Sequence, residues 1–134
     1  MVFPSDKRLS RGRAAVIVCG RTDCRVCVSA CGFSAIGSGE GGPFSDPDKC
    51  VGCGGCAAIC PDGAIRLFRD RGDGSYEVTL PWSGELPGEG SCVNAVLLPG
   101  REPVDARVIQ AVPKRSGHAL LRVAADSSAI RKIK

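Results

Sequence analysis

Four cysteines lie close together near the middle of the sequence: Cys50, Cys53, Cys56 and Cys60. Their spacing is C-x2-C-x2-C-x3-C, a proline follows, and the intervening residues are rich in glycine. Thiolates are soft ligands that suit zinc and iron–sulfur clusters. Three cysteines two residues apart can curve around one face of such a cluster, because glycine lets the backbone turn tightly toward the sulfurs. The run therefore predicts metal chemistry before any fold is considered.

A second run lies upstream with the spacing C-x4-C-x2-C-x3-C: Cys19, Cys24, Cys27 and Cys31. When its last three cysteines are aligned with the last three of the downstream run, the offset stays constant. Residues 35–36 then fall on residues 64–65, and both pairs read Ala-Ile. The chain thus contains an internal repeat of roughly thirty residues, in which each half carries its own ligand run.

The two runs resemble those of bacterial-type two-cluster ferredoxins, over about residues 14–70. The resemblance implies two 4Fe–4S clusters, because the fourth cysteine of each run binds the cluster of the other run in that family. It places Cys50, Cys53, Cys56 and Cys31 on one cluster. It places Cys19, Cys24, Cys27 and Cys60 on the other. It further implies the pseudo-symmetric α+β fold of bacterial ferredoxins for these residues, and single-electron transfer as their chemistry.

The upstream run departs from the family pattern at two points. Four residues separate Cys19 from Cys24 where the family usually has two, and Gly32 stands where the family usually has proline. The string C-x4-C-x2-C also matches the plant-type 2Fe–2S spacing, but that interpretation explains neither Cys31 nor the downstream run. Cys92 has no counterpart in the repeat; we interpret it as a buried or neutral thiol and keep it as the alternative to Cys19.

Two other uses of cysteine compete with an iron–sulfur centre. A disulfide framework is disfavoured because neighbouring cysteines in C-x2-C-x2-C are poorly placed to form bridges. Zinc sites also use C-x2-C pairs, but they usually set two pairs far apart rather than four cysteines followed by proline. The residue pattern therefore favours iron–sulfur clusters over both.

The charge balance gives little support for a nucleic-acid partner. The formal net charge is +4, but each oxidised 4Fe–4S centre with four thiolates carries about −2, so two centres bring the chain near zero. Basic residues gather at the two ends, and we interpret them as solvated tails or as a docking site for an acidic partner. They are Lys7, Arg8, Arg11, Arg13, Arg131, Lys132 and Lys134.

No apolar run is long enough to span a membrane, and no signal-peptide pattern is visible. We therefore expect a cytoplasmic location, where thiols stay reduced.

Three regions are expected along the chain. Residues 1–13 read as a loose basic arm, residues 14–70 as the two-cluster domain, and residues 71–134 as a β-rich extension. Within the extension, strands are predicted at 76–80, 93–98, 106–112 and 118–124, after a hairpin turn signal, Arg-Gly-Asp-Gly, at 71–74.

The function expected from these features is electron transfer without a catalytic site, since no nucleophile–base pair, phosphate loop or dinucleotide fingerprint is visible. The extension favours a small subunit of a multisubunit oxidoreductase, passing single electrons between the flavin of a flavoprotein partner and another redox centre in a hetero-oligomer. A freely diffusible ferredoxin is the first alternative. A metal-stabilised regulatory module is the second, although no DNA-reading helix is predicted. His118, the single histidine, is assigned a structural role.

Overall fold

The computed structural model describes residues 4–17, 19, 26–40, 42–52, 55–60, 64–82, 84–98, 101–113 and 119–133. Strands dominate these ranges, and the helices are short. The elements in chain order are α1 (Asp6–Ser10), β1 (Ala14–Ile17), α2 (Val26–Ala30), β2 (Ile36–Gly39), β3 (Gly42–Ser45), α3 (Gly55–Ile59), β4 (Ile65–Asp70), β5 (Ser75–Trp82), β6 (Cys92–Ala95), β7 (Val104–Val112), β8 (Ala119–Asp126) and α4 (Ser127–Ile133). No helix in the described ranges combines the length and the apolar character needed to cross a membrane.

Six strands form one antiparallel sheet in the order β1-β4-β5-β8-β7-β6, and β2 pairs with β3 in a separate two-stranded sheet. The turn predicted at 71–74 joins β4 to β5. There the N–H of Arg71 donates to the carbonyl of Ser75 at 3.1 Å. Gly72 and Gly74 adopt φ values of +78° and +86°, which glycine reaches without steric cost.

The two faces of the six-stranded sheet are covered by different cores. One core is built from aliphatic and aromatic side chains of α1, β1, β4, β5, β7, β8 and α4. The other core contains the cysteines, which pack with Ala15, Ile17, Ile65 and Leu67 of β1 and β4. Because side chains alternate along a strand, β1 and β4 supply both cores and are apolar on both faces.

The helices and strands around the cysteines recur with the repeat. Helix α2 and strand β2 of the first half correspond to α3 and β4 of the second half. The same sequence offset separates each pair of elements and the two cysteine runs. The pairing crosses between the halves, since β1 pairs with β4 and β2 with β3. The pseudo-symmetric fold of residues 14–70 stays a prediction, which these pairings support.

Strands fill most of the extension, as expected, but two details differ. Residues 96–98, predicted as part of a strand, lie beyond β6, and Leu97 and Leu98 are buried in the aliphatic core. The chain ends in α4, which the sequence did not predict, and Ile130 of this helix enters the same core. The sheet runs without interruption from β4 into β5, so the division at residue 70 stays a prediction.

The loose arm expected at residues 1–13 is wrong for residues 6–10, which form α1. Ser5 caps this helix by accepting a hydrogen bond from the N–H of Arg8 at 3.2 Å. Leu9 is fully buried in the aliphatic core. The hydroxyl of Tyr76 donates to Asp6 Oδ1 at 3.1 Å. Burial of Leu9 and these hydrogen bonds hold α1 against the sheet.

Titration of Tyr76 tests this packing, because it is the chain's one tyrosine. Burial, followed by the hydrogen bond and negative charge of Asp6, raises the pKa of Tyr76. We expect the phenolate absorption to appear with a midpoint above the ordinary value of about 10, and Asp6→Asn to lower this midpoint part of the way. Because folding raises the pKa of Tyr76, its neutral hydroxyl contributes to the free energy of unfolding. This contribution is complete below about pH 10 and is lost as the pH rises through the folded-state pKa.

The matched control is Asp73→Asn, in the exposed β4–β5 turn, which should leave the midpoint unchanged. An ordinary midpoint that does not respond to Asp6→Asn would show that α1 does not pack on β5.

Candidate metal centre

Three cysteines line one cavity. Cys50 and Cys56 come from the downstream run, and Cys31 comes from the upstream run. The remaining walls are largely apolar and include Ala15, Phe33, Ala35, Ile36, Val51 and Leu67. Apolar walls limit water access to a bound cluster, which is one of the factors that set its reduction potential. The cavity thus brings together three of the four ligands expected for one cluster.

Backbone N–H groups donate to the sulfurs at equivalent places in the repeat. The N–H of Ala35 lies 3.4 Å from Cys31 Sγ, and the N–H of Ala64 lies 3.5 Å from Cys60 Sγ. A third donor, the N–H of Ala15 in β1, lies 3.4 Å from Cys50 Sγ. Hydrogen bonds to sulfur favour the charged thiolate and tune the potential of a bound cluster.

The loop that carries Cys50 is held by a turn and by a close backbone approach. The carbonyl of Asp46 accepts hydrogen bonds from the N–H groups of Lys49 and Cys50, at 3.1 and 3.0 Å. Gly52 has φ +73°, and a Cβ built there would lie 2.6 Å from the carbonyl oxygen of Arg13. No side chain fits this position, so glycine is required for the loop to lie against β1.

Arg8 of α1 holds the same loop from its other side. Its guanidinium donates to four backbone carbonyls: Nε to Pro47 at 2.5 Å, Nη1 to Gly12 at 3.1 Å, and Nη2 to Arg13 at 2.9 Å and to Cys50 at 2.7 Å. Only 9% of Arg8 is exposed. The sequence analysis missed this role by treating Arg8 as part of a solvated tail. The one available signal was Ser5-Asp6, a typical helix N-terminus.

The second expected ligand set is described in part. Cys27 and Cys60 are buried, and Cys19 packs against the same cysteine-containing core. Cys24 and Cys53 lie outside the described residues, as does His118. Cys19, Cys31 and Cys50 are free thiols, which disfavours a disulfide framework. Among the described residues, no group of three or more His, Cys, Asp or Glu side chains is arranged to hold a single metal ion.

Cys92 lies far from the cysteine-containing core. It is an exposed free thiol on β6, at the opposite edge of the sheet from β1. Five strand spacings separate those edges, or about 24 Å. This position disfavours Cys92 as a substitute for Cys19.

A buried cation lies near Cys60. Arg66 of β4 is 9% exposed. Burial lowers the pKa of Arg66, and the negative charge available at Cys60 acts in the opposite direction.

The residues present fit an iron–sulfur cluster. The donors are soft thiols, the cavity walls are apolar, and hydrogen-bond donors point at three sulfurs. One-electron transfer is the chemistry that such a centre supplies when bound.

Comparison with known proteins gives the same result. A 4Fe-4S binding domain family matches residues 43–66. An uncharacterized ferredoxin of Methanocaldococcus jannaschii is 37% identical over 84 residues, which cover 63% of this chain and 46% of the relative. A second uncharacterized ferredoxin of that organism is 31% identical over 71 residues, covering 52% of this chain and 80% of the relative.

A third relative is subunit IorA of the indolepyruvate oxidoreductase of Pyrococcus horikoshii. It is 41% identical over 51 residues, which make up 37% of this chain but 8% of that subunit. The chain spans about half the length of the first ferredoxin it matches. No solved structure gives a significant match.

The site and these relatives define a protein of the iron–sulfur class, with a 4Fe-4S binding domain. The chain belongs to the bacterial-type ferredoxins.

The positions of Cys19 and Cys92 generate a test of the ligand set. We expect Cys19→Ala to remove or convert one cluster, and Cys92→Ala to leave all clusters intact, because Cys19 packs with the other cysteines and Cys92 lies at the far edge. The measurement is the low-temperature EPR spectrum of the reduced protein, with iron content as a second readout.

Each of the two variants is the control for the other, since both remove one thiol from the same chain. Intact clusters in Cys19→Ala, together with loss of one cluster in Cys92→Ala, would contradict the assignment.

Proposed function

We propose that this ferredoxin carries two 4Fe–4S clusters and serves as the small electron-transfer subunit of a multisubunit oxidoreductase. In this proposal it passes single electrons between the flavin of a partner subunit and another redox centre. The observation that carries the two-cluster proposal is the cavity in which Cys31 of the upstream run meets Cys50 and Cys56 of the downstream run. Crossed ligands of this kind are typical of two-cluster ferredoxins.

The second ligand set supports the same proposal. Cys60 of the downstream run packs in one core with Cys19 and Cys27 of the upstream run. We assign Cys24 to these three residues and Cys53 to the first set, following the repeat.

The extension offers a surface that continues from the clusters. One row of cross-strand partners on a single sheet face runs through Ala15, Leu67, Thr79, Arg122 and Gln110. The first two line the cysteine cavity, whereas Arg122 is half-buried and Gln110 is exposed. In this proposal a partner covers the row along its whole length, from the extension to the strands β1 and β4 that line the cysteine cavity.

The open face carries charges of both signs, with exposed Asp105 two residues before Arg107 on β7, and we assign Arg107 as its cationic contact with a partner. Arg69 and Arg122 flank the buried Glu77, at 3.3 and 3.0 Å. These three residues leave one positive charge. Arg107, the cross-strand neighbour of Cys92 and Ala124, adds a second and is exposed. Complementary charge mainly gives specificity and fast association.

Similarity to an oxidoreductase subunit adds independent support for the setting. The segment shared with the indolepyruvate oxidoreductase subunit is short. It supports the proposal that the partner belongs to an oxidoreductase complex. A flavoprotein is proposed as the partner because a flavin can exchange electrons one at a time with the clusters.

Iron and sulfide analysis tests the cluster content. Eight paired cysteines should hold about eight irons and eight sulfides per chain after anaerobic purification. A count of about four of each would indicate one cluster and contradict the two-cluster proposal. A preparation that contains zinc alone, without broad visible absorption, would contradict the iron–sulfur assignment of the site.

A charge reversal tests the docking face. We expect full-length tagged protein, isolated anaerobically from its native cells, to co-purify with a flavin-containing protein, detected by flavin fluorescence. Arg107→Glu should reduce this co-purification about tenfold, by placing like charge against an acidic surface. Cluster content should stay unchanged, because Arg107 is exposed and lies outside the cysteine core.

The matched control is Arg131→Glu, an exposed position on α4, whose Ile130 packs on the opposite sheet face. An equal loss in both variants would contradict the assigned face. A wild-type chain that is recovered alone and exchanges electrons with many unrelated reductases would identify a diffusible ferredoxin instead.

A further inference from the structure

We propose that Arg8 is a positioning residue for the cluster held by Cys50, and that its buried charge raises the reduction potential of that cluster. The inference rests on the proposed function, since it requires a cluster at this site. It adds a role for a residue outside both cysteine runs.

The contacts of Arg8 join three separate pieces of chain. Its carbonyl partners belong to residues 12–13, immediately before β1, to Pro47 in the approach to the cysteine run, and to Cys50 itself. The Cβ and the carbonyl oxygen of Arg13 are also the atoms that a side chain at position 52 would meet first, each at 2.6 Å. One guanidinium therefore fixes the loop on both sides of a predicted ligand.

Strand β1 also holds the sulfur of Cys50 through a hydrogen bond. The N–H of Ala15 donates to Cys50 Sγ at 3.4 Å, while Arg8 Nη2 donates to the carbonyl of the same residue at 2.7 Å. The thiolate thus has little freedom to move relative to β1. Groups that orient a ligand in this way commonly change the properties of the metal centre.

Asp48 lines the same surface pocket as Arg8, but its carboxylate pairs with Arg11. Within the described part of the chain, its hydrogen-bond acceptors are neutral carbonyls and it forms no salt bridge. A guanidinium does not lose its proton in proteins. A full positive charge is consequently held next to the site, where water screens it little.

This charge acts on the electron that the cluster accepts. Reduction adds one electron, supplied by a partner or by dithionite, to a centre that already carries about −2 with its four thiolates. A fixed positive charge stabilises the reduced form more than the oxidised form. Removing it should therefore lower the reduction potential, whereas keeping a charge at the same place should preserve the potential.

Arg8→Gln and Arg8→Lys separate charge from length. Both are made in the full-length chain, and both potentials are measured by EPR-monitored titration with dithionite. Arg8→Gln should shift one of the two potentials negatively and leave the other in place, because the contacts of Arg8 with the described residues of the two runs reach Cys50. Arg8→Lys, which retains the charge, should stay close to wild type.

The matched control is Arg11→Gln, which removes an exposed charge beside the same loop. Arg11 is 64% exposed and pairs with Asp48 at 3.8 Å. Because water screens this charge, its shift should be about three- to fourfold smaller than that of Arg8→Gln.

Several results would overturn the inference. They are unchanged potentials in Arg8→Gln, equal shifts in Arg8→Gln and Arg8→Lys, or a shift in Arg11→Gln as large as that in Arg8→Gln. If Arg8→Gln does not assemble its clusters, Arg8→Lys decides. The Arg8→Lys protein must then retain both clusters, and its reduction potentials must differ from wild type by no more than those of Arg11→Gln. A larger difference overturns the inference. Absence of iron from the wild-type protein would instead overturn the proposed function.

Discussion

The structure depends on strands β1 and β4 being buried on both faces. One face encloses the cysteines with apolar side chains, and alternate residues of the same two strands enter a second apolar core on the other face. Val16 and Phe68 are fully buried on that second face, and they need a cover of their own. The cover comes from α1, from the extension and from α4. The extension is therefore a structural necessity for this sheet as well as a candidate surface for partners.

The cysteines impose a second requirement, which is electrostatic. Several thiolates in one small region would repel each other without bound iron, donors or cations. Backbone N–H groups donate to the sulfurs of Cys31, Cys50 and Cys60, and the buried cations Arg8 and Arg66 add positive charge. The donors at Cys31 and Cys60 occupy equivalent places in the repeat. The arginines have no such equivalence, so the electrostatic surroundings of the two ligand sets differ.

Much of the molecule could be predicted because its signals are local. Ligand chemistry is visible in the spacing of Cys50 to Cys60, and the β4–β5 hairpin is visible in the glycines of its turn. The strands of the extension are visible in their β-branched residues. These features depend on neighbouring residues, which a sequence displays directly.

The parts that could not be predicted depend on distant contacts. The helix α1 has five residues, too few to show helical periodicity or to be stable by itself. It exists because Leu9 and Arg8 are buried by residues far along the chain. Arginine is mostly exposed in proteins, so Arg8 looked like a solvated charge. Leu97 and Leu98 looked like strand residues because apolar character alone does not distinguish a strand from a core-filling loop.

The shared use of β4 has a consequence for maturation. Its Ile65 and Leu67 belong to the cysteine core, while Phe68 belongs to the core that the extension completes. Disorder in the cysteine loops before iron binds would therefore also affect, through β4, the core that the extension completes. Order in the extension and order around the metal would therefore be acquired together as the chain matures, because both cores depend on β4.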